Sequence, residues 1–148
     1  MAVAAFIFAN SHQTAEQSSA ISHTFSDKIF LLFVPNYSKL SLQAQSDFVS
    51  AMQFAVRKGA HFSIYALLSM CVFSALQTYN IKKHKKVILC FIITTVYAAS
   101  DELHQLFISG RSGQFSDVCI DSLGAGFGIA VCLLLSTFLR FLKKRKTK

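Results

Sequence analysis

Three apolar runs, 59–79, 87–107 and 118–142, constrain this chain more than anything else in it. Each has about the 20 residues a helix needs to cross a ~30 Å hydrocarbon core. Inside lipid every backbone N–H and C=O must be satisfied within its own segment, so runs of this kind fold as transmembrane helices. The expected architecture is an all-α integral membrane protein, a small helical bundle of one domain over 1–148. A mean hydropathy of +0.45 with 53% hydrophobic residues supports this class over a soluble one.

The other segments are read relative to the spans. Residues 1–9 are apolar but too short to cross, and they read either as a packed half-helix or as the residual, last part of a first span whose natural start lies upstream. Residues 10–56 read as an amphipathic exterior segment. Ile21, Phe25, Ile29, Leu32 and Phe33 recur there at helical spacing, and a further helix starts near Ser41, whose hydroxyl is placed to cap it. Phe48, Met52, Ala55 and Val56 form one face of that helix, with packing against the spans as its simplest role. Residues 143–148 form a basic tail.

The net charge is +8, and of fifteen Lys and Arg, ten lie in two groups beside apolar runs. These are Lys82, Lys83, Lys85 and Lys86, then Arg140, Lys143, Lys144, Arg145, Lys146 and Lys148. Basic residues so placed set orientation and touch anionic headgroups, which argues for membrane lipids as partners and against nucleic acid. With three alternating spans both groups fall on one side, and the positive-inside rule makes that side cytoplasmic, the carboxyl terminus included. The loop around 109–116 then faces outward. The four cysteines, Cys71, Cys90, Cys119 and Cys132, form no Cys-x-x-Cys pair and read as small buried hydrophobes. Gly124, Gly126 and Gly128 follow no strand and do not have dinucleotide-loop spacing; Gly124 and Gly128, four apart, offer a surface for close helix contact.

Polar groups within the spans are costly and therefore mark candidate sites. His61 and Tyr65 open the first span, Asp101, Glu102, His104 and Gln105 close the second, and Asp117 and Asp121 begin the third. The pairs four apart share a helix face. All of these residues fall at one level near the outer surface, beneath a loop bearing Arg111, and the simplest arrangement is one outward-facing polar pocket.

Arg57-Lys58-x-Ala60-His61-Phe62-x-x-Tyr65, Asp101-Glu102-x-His104-Gln105-x-Phe107, then Gly110-Arg111, Asp117, Asp121 and Gly124 resemble the motifs of the VanZ-like family. The neighbourhood of Gln17-Ser18-Ser19 is similar to the segment after that family's first span. The resemblance implies a membrane protein of the bacterial envelope with about four spans, the first of them truncated here at Met1, from a family named for a member associated with resistance to the glycopeptide teicoplanin. At one position this chain departs: Ile64 precedes Tyr65, where many members carry Glu, so a mechanism needing a carboxylate there finds no support.

Three readings of the pocket stand side by side. It binds a divalent metal, zinc or manganese, through His61, His104, Asp101 and Asp117, with Glu102 and Asp121 as further donors, and metal-bound water hydrolyses an envelope lipid or precursor. Here His104, Asp101 and Glu102 are the catalytic candidates. Alternatively it recognises a lipid headgroup, a cell-wall precursor or a glycopeptide through Arg111, His61, Tyr65, Gln105, Asp117 and Asp121, without chemistry. Or the polar groups join helices and bind nothing. Oligomeric state is not legible.

Overall fold

The computed structural model describes residues 2–11, 41–108 and 114–146. The expected amphipathic helix around 21–33 and the loop holding Arg111 lie outside these residues. Among those described, the chain is all helix: α1 (Ala2–Ser11), α2 (Leu42–Leu76), α3 (Lys83–Gln105) and α4 (Phe115–Lys146).

Helix α2 has 35 residues, α3 has 23 and α4 has 32. At 1.5 Å per residue the shortest of them is about 34 Å long, enough to cross a membrane. Their surfaces say the same, because the most apolar stretches of α2, α3 and α4 are only 33%, 28% and 28% buried within the protein. Phe91, Ile92, Val96, Phe127, Leu134, Leu135 and Phe138 all point outward. So much continuous apolar surface is tolerated only against lipid. The molecule is a membrane protein with three long spans and one short helix at its amino end.

Helix α2 begins at Ser41, whose Oγ accepts the N–H of Ala44 at 3.3 Å. It does not break between the 41–56 stretch and the 59–79 run; one helix carries both to Leu76. Nothing in Ala51 to Ala60 stops a helix, and Gly59 has open space where its side chain would be. The end is a tightened turn in which Gln77, Thr78 and Tyr79 donate to carbonyls three residues back. Helix α3 ends at Gln105, and Phe107 and Ile108 close it with the same kind of bond.

The contacts between helices define the topology. Lys58 pairs with Asp117 and His61 with Asp121, while the backbone of Gly124 rests on Phe62 and that of Gly128 on Ala66. Partner numbers rise together by nearly equal steps, so α2 and α4 run parallel. Helix α3 runs the other way between them: Cys90 donates through Sγ to the Ser69 carbonyl at 3.3 Å, and further along α3 Ala98 packs with Tyr65 and Leu68. Consequently the α2–α3 turn and the last turns of α4 share one side, and the α3–α4 connection lies on the other.

Two apolar layers hold the bundle. Ile7, Tyr65, Leu68 and Ala98 join α1 to α2 and α3; Phe73, Leu76, Cys90 and Ile129 join α2, α3 and α4. Helix α1, ten residues long, is also tied down by Tyr97, whose hydroxyl donates to the Ala4 carbonyl at 2.7 Å. Between the layers Gly124 and Gly128 let the backbones of α2 and α4 touch. A Cβ on Gly124 would collide with the Phe62 carbonyl, and one on Gly128 with the Ala66 carbonyl and the Ser69 hydroxyl. The small surface expected at these two glycines is therefore the α2–α4 contact.

Candidate functional site

The polar residues of the three long helices meet at the end of the bundle where α3 stops and α4 starts. Helix α2 contributes Lys58, His61 and Tyr65; α3 contributes Asp101, Glu102 and Gln105; α4 contributes Asp117 and Asp121. Spacing explains how each helix presents its set. His61 and Tyr65, Asp101 and Gln105, and Asp117 and Asp121 are all four apart and stack on one face. Asp121 and Tyr65 are fully enclosed, and Asp101, Glu102 and Gln105 are buried.

Within the centre some groups have partners and others do not. Lys58 donates to Asp117 Oδ1, and its ammonium also lies 5.1 Å from the centre of the Phe54 ring. Gln105 donates through Nε2 to Asp101 Oδ2 at 3.1 Å. Glu102 reaches across to α4, where its Oε2 accepts the Gln114 N–H at 3.1 Å, just ahead of the first helical turn. Its other oxygen, Oε1, is buried with no hydrogen-bond partner. His61 Nδ1 stands 3.4 Å from Asp121 Oδ1, close enough to attract, but the two do not form a hydrogen bond. Both Asp121 oxygens, together with the Tyr65 hydroxyl, are buried and unpartnered.

One atom from each of His61, Glu102 and Asp121 lies within 4.8 Å of the others. Among the described residues this is the cluster with the geometry of a ligand set. Of the expected metal ligands it contains His61, with Glu102 and Asp121 as the carboxylates; Asp101, His104 and Asp117 stand outside it. The reasons are local. Asp101 precedes Glu102 on α3 and is turned by about 100° from it, to pair with Gln105, whereas Glu102 points toward α4. Asp117 is engaged by Lys58. His104 is half-buried in the last turn of α3.

The sequence offers Arg57 or Lys58 equally as a further cation beside Arg111; in the structure Arg57 is exposed and Lys58 is buried against Asp117. The signal that separates them is phase, since Lys58, His61 and Tyr65 follow three- and four-residue steps and Arg57 precedes His61 by four but Tyr65 by eight on a drifting face.

Next to the centre a groove of about 760 Å³ runs between α3 and α4, lined by Phe91, Thr95, Val118, Ser122, Gly126 and Phe127 among others. Its lining is almost wholly apolar and extends along α4 from Phe115 to Ala130, about 22 Å of helix. None of the polar residues of the centre lines it.

Fold and centre together define a small multi-pass helical membrane protein with a buried polar core shared by three spans. A model of the family described as VanZ/LLP1 matches residues 1–136, and the chain belongs to this VanZ-like family. No curated protein and no solved structure matches it.

Proposed function

We propose that this protein recognises the polar head of an amphiphile in the centre formed by α2, α3 and α4, with the apolar part of the ligand lying along the α3–α4 groove. The observation that carries the reading is the set of buried hydrogen-bonding groups without hydrogen-bond partners on Tyr65, Glu102 and Asp121; the apolar groove of about 760 Å³ between the same α3 and α4 supplies a wall for the rest of the ligand. Buried polar atoms are normally satisfied, and each that is not costs about 1–3 kcal/mol, so a ligand that fills them is favoured. A few convergent polar groups beside a larger apolar wall are the usual make-up of a site for such a molecule.

The ligand class is an envelope lipid headgroup, a lipid-linked cell-wall precursor or a lipid-bearing glycopeptide, and the consequence for the cell is lowered susceptibility to teicoplanin-type drugs. Basic residues gather at the α2–α3 turn and at the end of α4, opposite the polar centre, so the positive-inside rule turns the centre outward and the carboxyl terminus to the cytoplasm of a bacterium. Arg111, in the sequence between α3 and α4, supplies the bidentate grip on a phosphate or carboxylate. Gln105 and Tyr65 add neutral hydrogen bonds. Hydrolysis of the bound lipid by a metal-activated water is the second reading, favoured by the convergence of His61, Glu102 and Asp121.

The test uses the full chain in lipid nanodiscs with phosphatidylglycerol, an undecaprenyl-linked cell-wall precursor and teicoplanin as separate probes. At Gly126 a Cβ would meet only the Phe91 ring, at 3.9 Å, so Gly126→Phe fills the groove without disturbing the backbone. Saturable binding of one probe that is lost in both Gly126→Phe and Arg111→Ala is the expected result. Binding of none, or binding indifferent to both substitutions, overturns the reading.

A further inference from the structure

We infer that His61, Glu102 and Asp121 form a binding site for one divalent transition-metal ion, zinc or manganese, which links the three long spans. The inference concerns the same centre as the amphiphile reading but stands without it.

Geometry comes first. Around a tetrahedral ion with bonds of about 2.1 Å, two ligand atoms sit about 3.4 Å apart. His61 Nδ1 and Asp121 Oδ1 are 3.4 Å apart, a separation too long for a good hydrogen bond and right for two ligands of one ion. All three donors fit within 4.8 Å of one another, so the Glu102 oxygen closes the set by a side-chain adjustment of the order of 1 Å. Each donor comes from a different helix, and the α2–α4 backbone contact at Gly124 and Phe62, one turn away, fixes the spacing between two of them.

Burial is the second, independent observation. The Asp121 side chain is 0% exposed, and neither of its oxygens has a hydrogen-bond partner. Glu102 Oε1 and His61 Nδ1 are likewise buried without one. A carboxylate removed from water and left bare is among the most costly groups a protein can hold, whereas metal coordination is one of the ways buried charge is compensated. The nearby lysine does not do this, because Lys58 is bound to Asp117. Charge agrees: Asp101, Glu102, Asp117 and Asp121 face one lysine and the His61 imidazole, an excess of negative charge that suits a cation.

The donor set selects the ion. One imidazole and two carboxylates suit zinc or manganese, while sites for calcium or magnesium are built from oxygen alone. Support around the ligands is present too. Glu102 Oε2 is held by the Gln114 N–H at 3.1 Å, which fixes the carboxylate in place, as outer-shell bonds do in metal centres.

The experiment takes the full chain in mild detergent, strips it with a chelator, and measures uptake of zinc, manganese and magnesium by elemental analysis and calorimetry. One zinc or manganese ion per chain is expected, with magnesium unable to compete. His61→Ala, Glu102→Gln and Asp121→Asn should each weaken binding by at least about 10-fold, the smaller loss seen when a residue that only orients a ligand is removed. His104→Ala should bind as the parent does. Should the three variants fail to fold, cobalt in the unaltered chain decides: visible absorption of a tetrahedral nitrogen and oxygen site is expected, and its absence overturns the site. No stoichiometric ion, or equal loss in His104→Ala, also overturns it. Metal uptake without amphiphile binding sinks only the recognition reading, and amphiphile binding by metal-free protein incapable of uptake sinks only this one.

Discussion

The α2–α4 seam is built in two ways along its length. At the end near the α3–α4 connection the helices face each other with Lys58 and Asp117, then His61 and Asp121; from Phe62 onward they meet through glycine and backbone, and then through Phe73 and Ile129. Both halves keep the same parallel register. The glycine half needs no charge to do so, since helix association in lipid rests on close van der Waals contact between small residues. The polar half adds desolvation cost to a pairing already made, and buried polar groups of that kind within a span are candidates for function.

The largest effect should come from breaking the close half. Gly128→Leu drives a side chain into the Ala66 carbonyl and the Ser69 hydroxyl, backbone on one side and a hydrogen-bonded group on the other. Overpacking of this kind costs about 3 kcal/mol or more, read as loss of the folded form in denaturant titration in detergent. If the variant unfolds like the parent, the helices do not depend on that contact.

The polar half divides into a part with a hydrogen bond and a part without one, and the two respond with opposite sign. Lys58→Met strands the Asp117 carboxylate and should cost about 2–3 kcal/mol in the same titration, with most of it recovered in the Lys58→Met, Asp117→Leu double variant. No recovery would mean that Lys58 acts through packing, including its contact with Phe54. Asp121→Asn removes a charge that has no hydrogen bond and should raise the stability of metal-free protein by about 1–2 kcal/mol while abolishing any site it builds. A loss of stability there would place Asp121 among the structural groups. The smallest effect is expected outside the seam: Tyr97→Phe removes the bond to Ala4 and should cost about 1 kcal/mol, seen as faster amide exchange in α1 alone.

The all-helical class, the three long spans and the glycine contact were legible from the sequence because hydropathy and small-residue spacing are local signals. The start of α2 was legible at Ser41 for the same reason. What misled was charge: Arg57 and Lys58 read as the membrane edge and suggested a break before 59, but Lys58 turns inward to Asp117 and the helix runs on. At the site, the faces shared by His61 and Tyr65 and by Asp117 and Asp121 follow from spacing alone. Which residue meets which does not, because the register that sets His61 against Asp121 is fixed by the Gly124 and Phe62 backbones. Nor does spacing tell which of the neighbours Asp101 and Glu102 reaches across to α4.

Glu102 gives one further consequence. One of its oxygens holds the backbone at the start of α4 through Gln114, the other is buried without a hydrogen-bond partner, and the carboxylate as a whole belongs to the cluster with His61 and Asp121. The two oxygens and their carbon form one flat, stiff unit, so neither can shift without carrying the other. Whatever draws on the inner oxygen is felt at the return of the chain between α3 and α4, and a displacement of that return is felt at the cluster, through a lever three atoms wide.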